Sequence, residues 1–366
     1  MNVGICGLLL SGKTTVFNIL TGAEVKIGGY HSGVSDDTNV SIVQVPDKRL
    51  DILFDLFKPR KKIYSTIEYV DVAGIVKDGG RDSNIEKAVF SHLIGMDMLM
   101  VVIRAFQNAN VPHPENSVNP KRDIDIFQTE LLFRDLNIVE KRLERLTKAK
   151  KKPDSGPEKI EWELLDESRE NLMREKPLRE LDLTPEKDKI LRGFQFMSAK
   201  PLLVVLNIGE DDIAREKEII QSFQEIIPSV KTKCVAVCGK LEMELAQMDE
   251  DESQVFMTEY GLTEKASVRL TQTSRDLLKL ITFFTVGGED DVHAWTIPEG
   301  TRAREAAGAI HTDIEKGFIK AEVIPYDVLI DKKGSLARCR DEGLVQMEGK
   351  EYIVHEGDSI YFHFHK

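Results

Sequence analysis

The sequence of 366 residues has only four cysteines and no C-x-x-C pair. Thiolate metal sites and dithiol redox centres commonly carry that spacing, so both readings are weak here. Cys6, Cys234 and Cys238 lie in apolar runs and Cys339 stands between arginines, which suits buried, reduced thiols. Positive charge is not in excess: 50 Lys and Arg face 62 Asp and Glu, for a net charge of −12. That balance excludes a wholly basic nucleic-acid coat and leaves room for a local basic patch. No apolar run reaches the roughly 20 residues of a membrane-spanning helix. A secretory leader is not expected either, because the first residues already read as a strand. A cytoplasmic protein with no membrane partner is the expectation.

What the sequence does have begins at Gly7. The run GLLLSGKTT carries Gly7-x-x-x-x-Gly12-Lys13-Thr14, the spacing of a phosphate-binding loop. Glycines let backbone N–H groups curl round an anion. A helix expected from Thr14 to Thr21 would turn its positive end to the same charge. In this reading Leu10, Ser11, Gly12 and Thr15 line the phosphates with Gly7. Lys13 reaches the β/γ-phosphates, and the Thr14 hydroxyl ligates Mg²⁺. The flanking patterns fit: Val3 and Ile5 precede the loop in a strand, and Val16, Phe17, Ile19 and Leu20 follow it in a helix.

Five apolar runs read as buried parallel strands: MNVGIC, STIEYVDVAG, MDMLMVVIRAF, PLLVVLNIG and KCVAVCG. Helical patterns lie between them, which predicts a doubly wound α/β domain of P-loop NTPase type with a mostly parallel, Ras-like sheet. The stretch 123–197 breaks the rhythm. Leu132, Leu136, Val139, Leu143 and Leu146 recur at spacings of 4 and 3, a heptad seam. KAKKKPDSGPEK then reads as a turn, and Trp162, Leu165 and Leu172 as a weaker second seam. Thr184 and Pro185 are placed as N-cap and first residue of a further helix. An inserted antiparallel helical hairpin follows from these patterns. After about residue 280, FFTV, VHAWTI, AEVIPYDVLI, YIVHEGD and IYFHFHK read as short strands, with TRAREAAGAIH as one helix. On the last strand Ile360, Phe362 and Phe364 are expected inward, with His363 and His365 on the outer face.

Two further motifs complete a pocket. Asp71-Val72-Ala73-Gly74 ends a strand as D-x-x-G. Asp71 would hold Mg²⁺ and the Gly74 N–H would meet the γ-phosphate. Asn207-Ile208-Gly209-Glu210 stands where guanine readers carry N-K-x-D. Isoleucine replaces the lysine and glutamate the aspartate, and both changes weaken a guanine contact. Asn207 could accept from an adenine amine. Cys238-Gly239-Lys240 follows the next strand, where switch proteins place a short base-contacting loop. No catalytic residue is assigned, since Ile75 stands where Ras-like switches carry the water-orienting glutamine.

With these motifs in order, the sequence resembles the YchF family, the Obg-like ATPases, over nearly its whole length. The most specific stretches are VPDKRLD, DVAGIVK, DLNIVEKRLERL, ELDLTPEKDKILRGFQFMSAKPLLVVLN and FFTVGGEDDVHAWTIPEGTRAREAAGAIHTDIEKGFIKAEVIPYDVL. The resemblance implies a nucleotide-binding domain at 1–122 and 198–279, the hairpin at 123–197, and a β-grasp TGS domain at 280–366. It also implies ATP preferred over GTP, slow hydrolysis, Mg²⁺, and ribosome or RNA partners met through the hairpin tip and the TGS domain. Leu9-Leu10-Ser11 replaces the family's Pro-Asn-Val, and the missing asparagine at Leu10 is associated with a potassium site. Only Ser35 or Thr38 is available for the first switch, and KDGGRDSNIEK replaces a Gly-rich second switch. These departures leave binding intact and point to weak turnover. The alternative is therefore a GTP-binding or non-hydrolysing regulatory module. A small-molecule kinase would need an arginine-bearing lid and acceptor site, and the TGS-like end argues against it. His113 resembles a histidine of the family, but the sequence gives it no role.

Overall fold

The computed structural model describes residues 1–22, 39–72, 90–149, 155–287 and 290–365. Ser35, Thr38, Gly74, Ile75 and Lys150 to Lys152 lie outside these residues, as does the side chain of Lys148. Two compact units form: residues 1–41 with 68–277, and residues 42–67 with 278–366.

The first unit is built on a six-stranded sheet. Its strands are β1 (Asn2–Cys6), β2 (Asn39–Gln44), β4 (Thr66–Asp71), β5 (Met98–Arg104), β6 (Leu202–Asn207) and β7 (Thr232–Val237), in the order β2-β4-β1-β5-β6-β7. From β4 to β7 every pair is parallel. All seven residues of β5 and all six of β6 are buried, which is why these strands read as unbroken apolar runs. Their inner faces share a core with Phe127, Leu131, Ile208 and Leu241. Cys6, Cys234 and Cys238 are buried and free, as expected.

The hairpin is formed by α3 (Pro120–Ala149) and α4 (Pro157–Met173). Leu132, Val139 and Leu143 pack against Leu164, Leu165 and Leu172, with Leu136, Leu146 and Trp162 flanking them. An ion pair of 2.6 Å between Arg142 and Glu161 links the two arms across the hairpin. Its base is fixed by Asp135, fully buried, which accepts from the backbone N–H groups of Met197 (3.0 Å) and Ser198 (2.7 Å). The next helix, α5 (Pro185–Phe194), starts as the sequence indicates: Thr184 caps it by accepting from the Lys187 N–H, and Pro185 follows. Four more helices follow in the unit: α6 (Glu216–Ile226), α7 (Gly239–Leu245), α8 (Glu250–Glu259) and α9 (Ala266–Leu277).

The second unit holds another six-stranded sheet, in the order β11-β10-β12-β8-β9-β3. Its members are β3 (Lys61–Ile63), β8 (Leu280–Thr285), β9 (Asp291–Pro298), β10 (Phe318–Pro325), β11 (Gln346–Glu348) and β12 (Asp358–Phe364). The hairpin β8–β9, the helix α10 (Ala303–Ile310) and the parallel pairing of β12 with β8 make a β-grasp arrangement. Ala303, Ala306 and Ala307 of α10 pack on one face against Phe283, Ile360 and Phe362.

Four expectations need correction here. Residues 42–67 were assigned to the nucleotide-binding domain, yet apart from the ends of β2 and β4, which pair in the first sheet, they cluster with the second unit. Leu50 and Leu53 of α2 (Lys48–Phe57) pack with Phe284, Val292 and Ala294 on the sheet's other face, and β3 pairs with β9. AEVIPYDVLI is not one strand, because β10 ends at Pro325 and α11 (Tyr326–Asp331) begins there, burying Leu329. YIVHEGD forms only an isolated bridge between Ile353 and Arg302. There the Asp358 carboxylate accepts from the His355 N–H and the Tyr352 hydroxyl, both at 2.9 Å, and this local bonding replaces a ladder. Phe364, expected inward, is an exposed residue at the strand's end, whereas Ile360 and Phe362 are buried.

Candidate nucleotide-binding site

The loop from Gly7 to Gly12 joins β1 to α1 (Lys13–Thr21) at the carboxyl end of the parallel sheet. Such loops are where open α/β sheets bind ligands. The two glycines are dictated by space as well as by conformation. A Cβ on Gly7 (φ 142°) would lie 2.4 Å from the Val102 carbonyl oxygen, and one on Gly12 (φ 98°) 2.2 Å from Asn207 Nδ2. Leu10 also takes a left-handed φ of 61°. Leu8 is buried whereas Leu9 is exposed, so the leucines serve different surroundings. Among the described residues the buried Ser11 hydroxyl has no hydrogen-bond partner, which leaves a donor and acceptor within the loop.

Charge is concentrated at the loop's end. Lys13 is buried and its ammonium donates to the Leu8 carbonyl at 3.0 Å. Burial pushes its pKa down, and Asp71 draws it back up. Asp71, at the end of β4, accepts from the Thr14 hydroxyl at 3.0 Å. Burial pushes its carboxyl pKa up, against the opposing pull of Lys13 and Thr14. A hydroxyl and a carboxylate oxygen in contact are hard donors of the kind Mg²⁺ takes alongside phosphate oxygens and water, so the residues fit that ion. Among the described residues no group of three His, Cys, Asp or Glu could cage a metal alone.

Asn207 ties three elements together. Its amide donates to the Ser11 carbonyl at 3.0 Å, and its side-chain oxygen accepts from the Gly239 N–H at 3.1 Å. The side-chain oxygen expected to meet a base amine is thus shared with the backbone, and Asn207 acts first as a brace. Ile208 is buried in the core, so it extends no stem over a base. Glu210 forms a 2.7 Å ion pair with Lys240, which joins the two segments expected at the base. Cys238 is buried ahead of α7, leaving backbone as its contribution.

Two residues were not found by sequence reasoning. Arg104 ends β5 directly beside Asn207 in the sheet register, and the Ala105 N–H donates to the Asn207 carbonyl at 2.8 Å. Phe106 follows, with its Cβ 3.9 Å from where a Cβ on Gly209 would stand. An arginine closing an otherwise apolar buried strand was the only available signal. His113, in contrast, is engaged in the fold: its Nε2 meets Asp123 at 3.0 Å and its Nδ1 accepts from the Glu115 N–H.

The order of parts along the sheet defines the class. A phosphate loop follows the first strand, an aspartate ends the strand beside it, and an asparagine ends a strand on the other side. This is a P-loop nucleotide-binding protein of the GTPase type. Comparison with known proteins agrees. A family model described as "50S ribosome-binding GTPase" matches residues 2–140, and the C-terminal model of the YchF GTPases, described as a protein of unknown function, matches residues 280–365. The "Ribosome-binding ATPase YchF" of Bacillus subtilis is 37% identical over 366 residues, covering 100% of this chain and 99% of that protein. "Obg-like ATPase 1" of Caenorhabditis elegans is 36% identical over 374 residues, covering 100% of this chain and 92% of its own. The solved structure of the Schizosaccharomyces pombe YchF GTPase superimposes with a TM-score of 0.84 at 29% identity, covering 99% of this chain and 97% of that one. The chain belongs to the YchF family.

Proposed function

We propose that this protein binds Mg²⁺ and a nucleoside triphosphate at the 7–15 loop, prefers ATP to GTP, hydrolyses it slowly, and acts on the ribosome. The observation that carries the binding reading is the cluster of buried Lys13 and Asp71 with half-buried Thr14, opposite charges desolvated together at the phosphate end. Thr14 and Asp71 would hold the metal, which neutralises phosphate charge when bound. Lys13 supplies the protein's own cation, and the loop N–H groups the rest of the cradle. Gly74, from outside the described residues, belongs to the same proposed set.

The preference for ATP rests on the other end. The Ile208 side chain is withdrawn into the core and Glu210 is paired with Lys240, so the lysine and aspartate of a guanine reader have no equivalents. Ile75, an aliphatic residue where Ras-like switches carry a glutamine, argues for slow turnover. The ribosome is the partner named for the YchF relatives. The C-terminal β-grasp unit is read as a TGS module that shares this contact with the hairpin tip.

Competition between ATP and GTP tests the choice of base. ATP is expected to displace GTP at lower concentration, and the double variant Ile208→Lys, Glu210→Asp to shift preference toward GTP. A wild-type preference for GTP would contradict the reading.

A further inference from the structure

Arg104 is a buried charge with an unusual set of partners. Its guanidinium donates to three backbone carbonyls of a single loop: Nε to Phe106 (3.2 Å), Nη2 to Asn108 (3.3 Å) and Nη1 to Pro112 (3.3 Å). The same group lies 4.5 Å from the centroid of the Phe106 ring. The loop is thus wrapped round one side chain. Its far end is fixed separately: Asp123 receives His113 and Arg122, and the Arg122 Nη2 also donates to the Ser117 carbonyl. Burial lowers the Arg104 pKa, and Asp123 opposes that shift. A buried guanidinium is costly unless its hydrogen bonds are satisfied. Here the hydrogen bonds that satisfy it are those that shape the loop.

The location gives that shape a use. Arg104 pairs with Asn207 in the sheet, and half-buried Phe106 packs beside Gly209, within the segment 207–210. We propose that Arg104 is a positioning residue for base selection: it holds the 105–112 loop as a wall against the base-facing segment. The inference rests on the base-reading role of residues 207–210 proposed above. Lys13, Thr14 and Asp71 have no part in this wall, so phosphate anchoring is independent of it. Lysine cannot replace the arginine, because an ammonium is a compact point donor and cannot span three carbonyls set by a planar fork.

The test is a set of Mg²⁺-containing titrations with ATP, GTP and inorganic tripolyphosphate on wild type, Arg104→Lys, Arg104→Gln and Phe106→Leu. Tripolyphosphate reads the loop at residues 7–15 without a base. Both Arg104 variants are expected to lose about tenfold of the ATP-over-GTP ratio while tripolyphosphate affinity holds. Rescue by Arg104→Lys would mean that Arg104 serves only as a charge balancing Asp123, and would overturn the inference. An unchanged ratio, or an equal loss for tripolyphosphate, would also overturn it. Phe106→Leu removes the ring from the wall without unburying a charge, so it decides the question if the arginine variants do not fold: a retained ratio rejects the inference. Wild type that binds ATP and GTP equally rejects the base-reading role itself, an outcome distinct from a selective wild type with selective variants.

Discussion

Asp71 carries the pH dependence of the pocket. Its carboxyl is pushed above the ordinary aspartate range by burial, more than Lys13 and Thr14 pull it down. Mg²⁺ requires the ionised form, so affinity for Mg·ATP should fall on acidification at a pH above the ordinary value of about 4. Without ligand the sign reverses. The folded state holds this proton more tightly than the unfolded chain. The Asp71 contribution to stability is therefore full below the unfolded pKa and is lost as pH rises through the folded one. Asp71→Asn should abolish both trends, seen in binding titrations and in ligand-free unfolding across the acid range. A binding midpoint at or below the ordinary aspartate pKa would contradict the assignment. At this scale the phosphate loop was legible because its signal is local, a fixed spacing of glycine, lysine and threonine. Arg104 was not legible, because it acts through backbone carbonyls up to eight residues away, and no spacing of residue types marks such bonds.

At the scale of elements, the hairpin shows what periodicity can carry. Its seam was readable from leucines at spacings of 4 and 3, and the arms meet along that seam. Leu165, fully buried between the arms, is a clean probe. Leu165→Ala should cost about 2–5 kcal/mol by lost transfer energy and cavity formation, measured by urea unfolding, with nucleotide binding retained. A change below about half a kcal/mol would mean the arms do not depend on their seam. Apolar density without a distinct period misled elsewhere. AEVIPYDVLI is equally apolar on both sides of Pro325, yet strand gives way to helix there. The proline and the following Asp327 were the available signals. The membership of α2 was not legible at all. Its amphipathic stripe through Leu50 and Leu53 says that it covers a sheet, but not which one.

The whole molecule is acidic, with a net charge of −12, yet Lys141 to Lys152 carries seven basic residues against Glu144 alone. Such a run can dock a phosphate backbone while the remaining surface repels it. Reversing Lys148, Lys150, Lys151 and Lys152 to Glu should weaken ribosome co-sedimentation and flatten its salt dependence, with ATP binding unchanged. Survival of co-sedimentation at moderate salt would transfer the contact to the C-terminal unit. All of this presupposes a pocket that takes a triphosphate, and the most direct measurement of that claim is a titration of wild type and Lys13→Ala with Mg·ATP. Removing the one side-chain cation of the 7–15 loop should weaken binding by about a hundredfold or more, as expected for the loss of a buried charged contact. Equal affinity of Lys13→Ala and wild type for Mg·ATP would contradict the account.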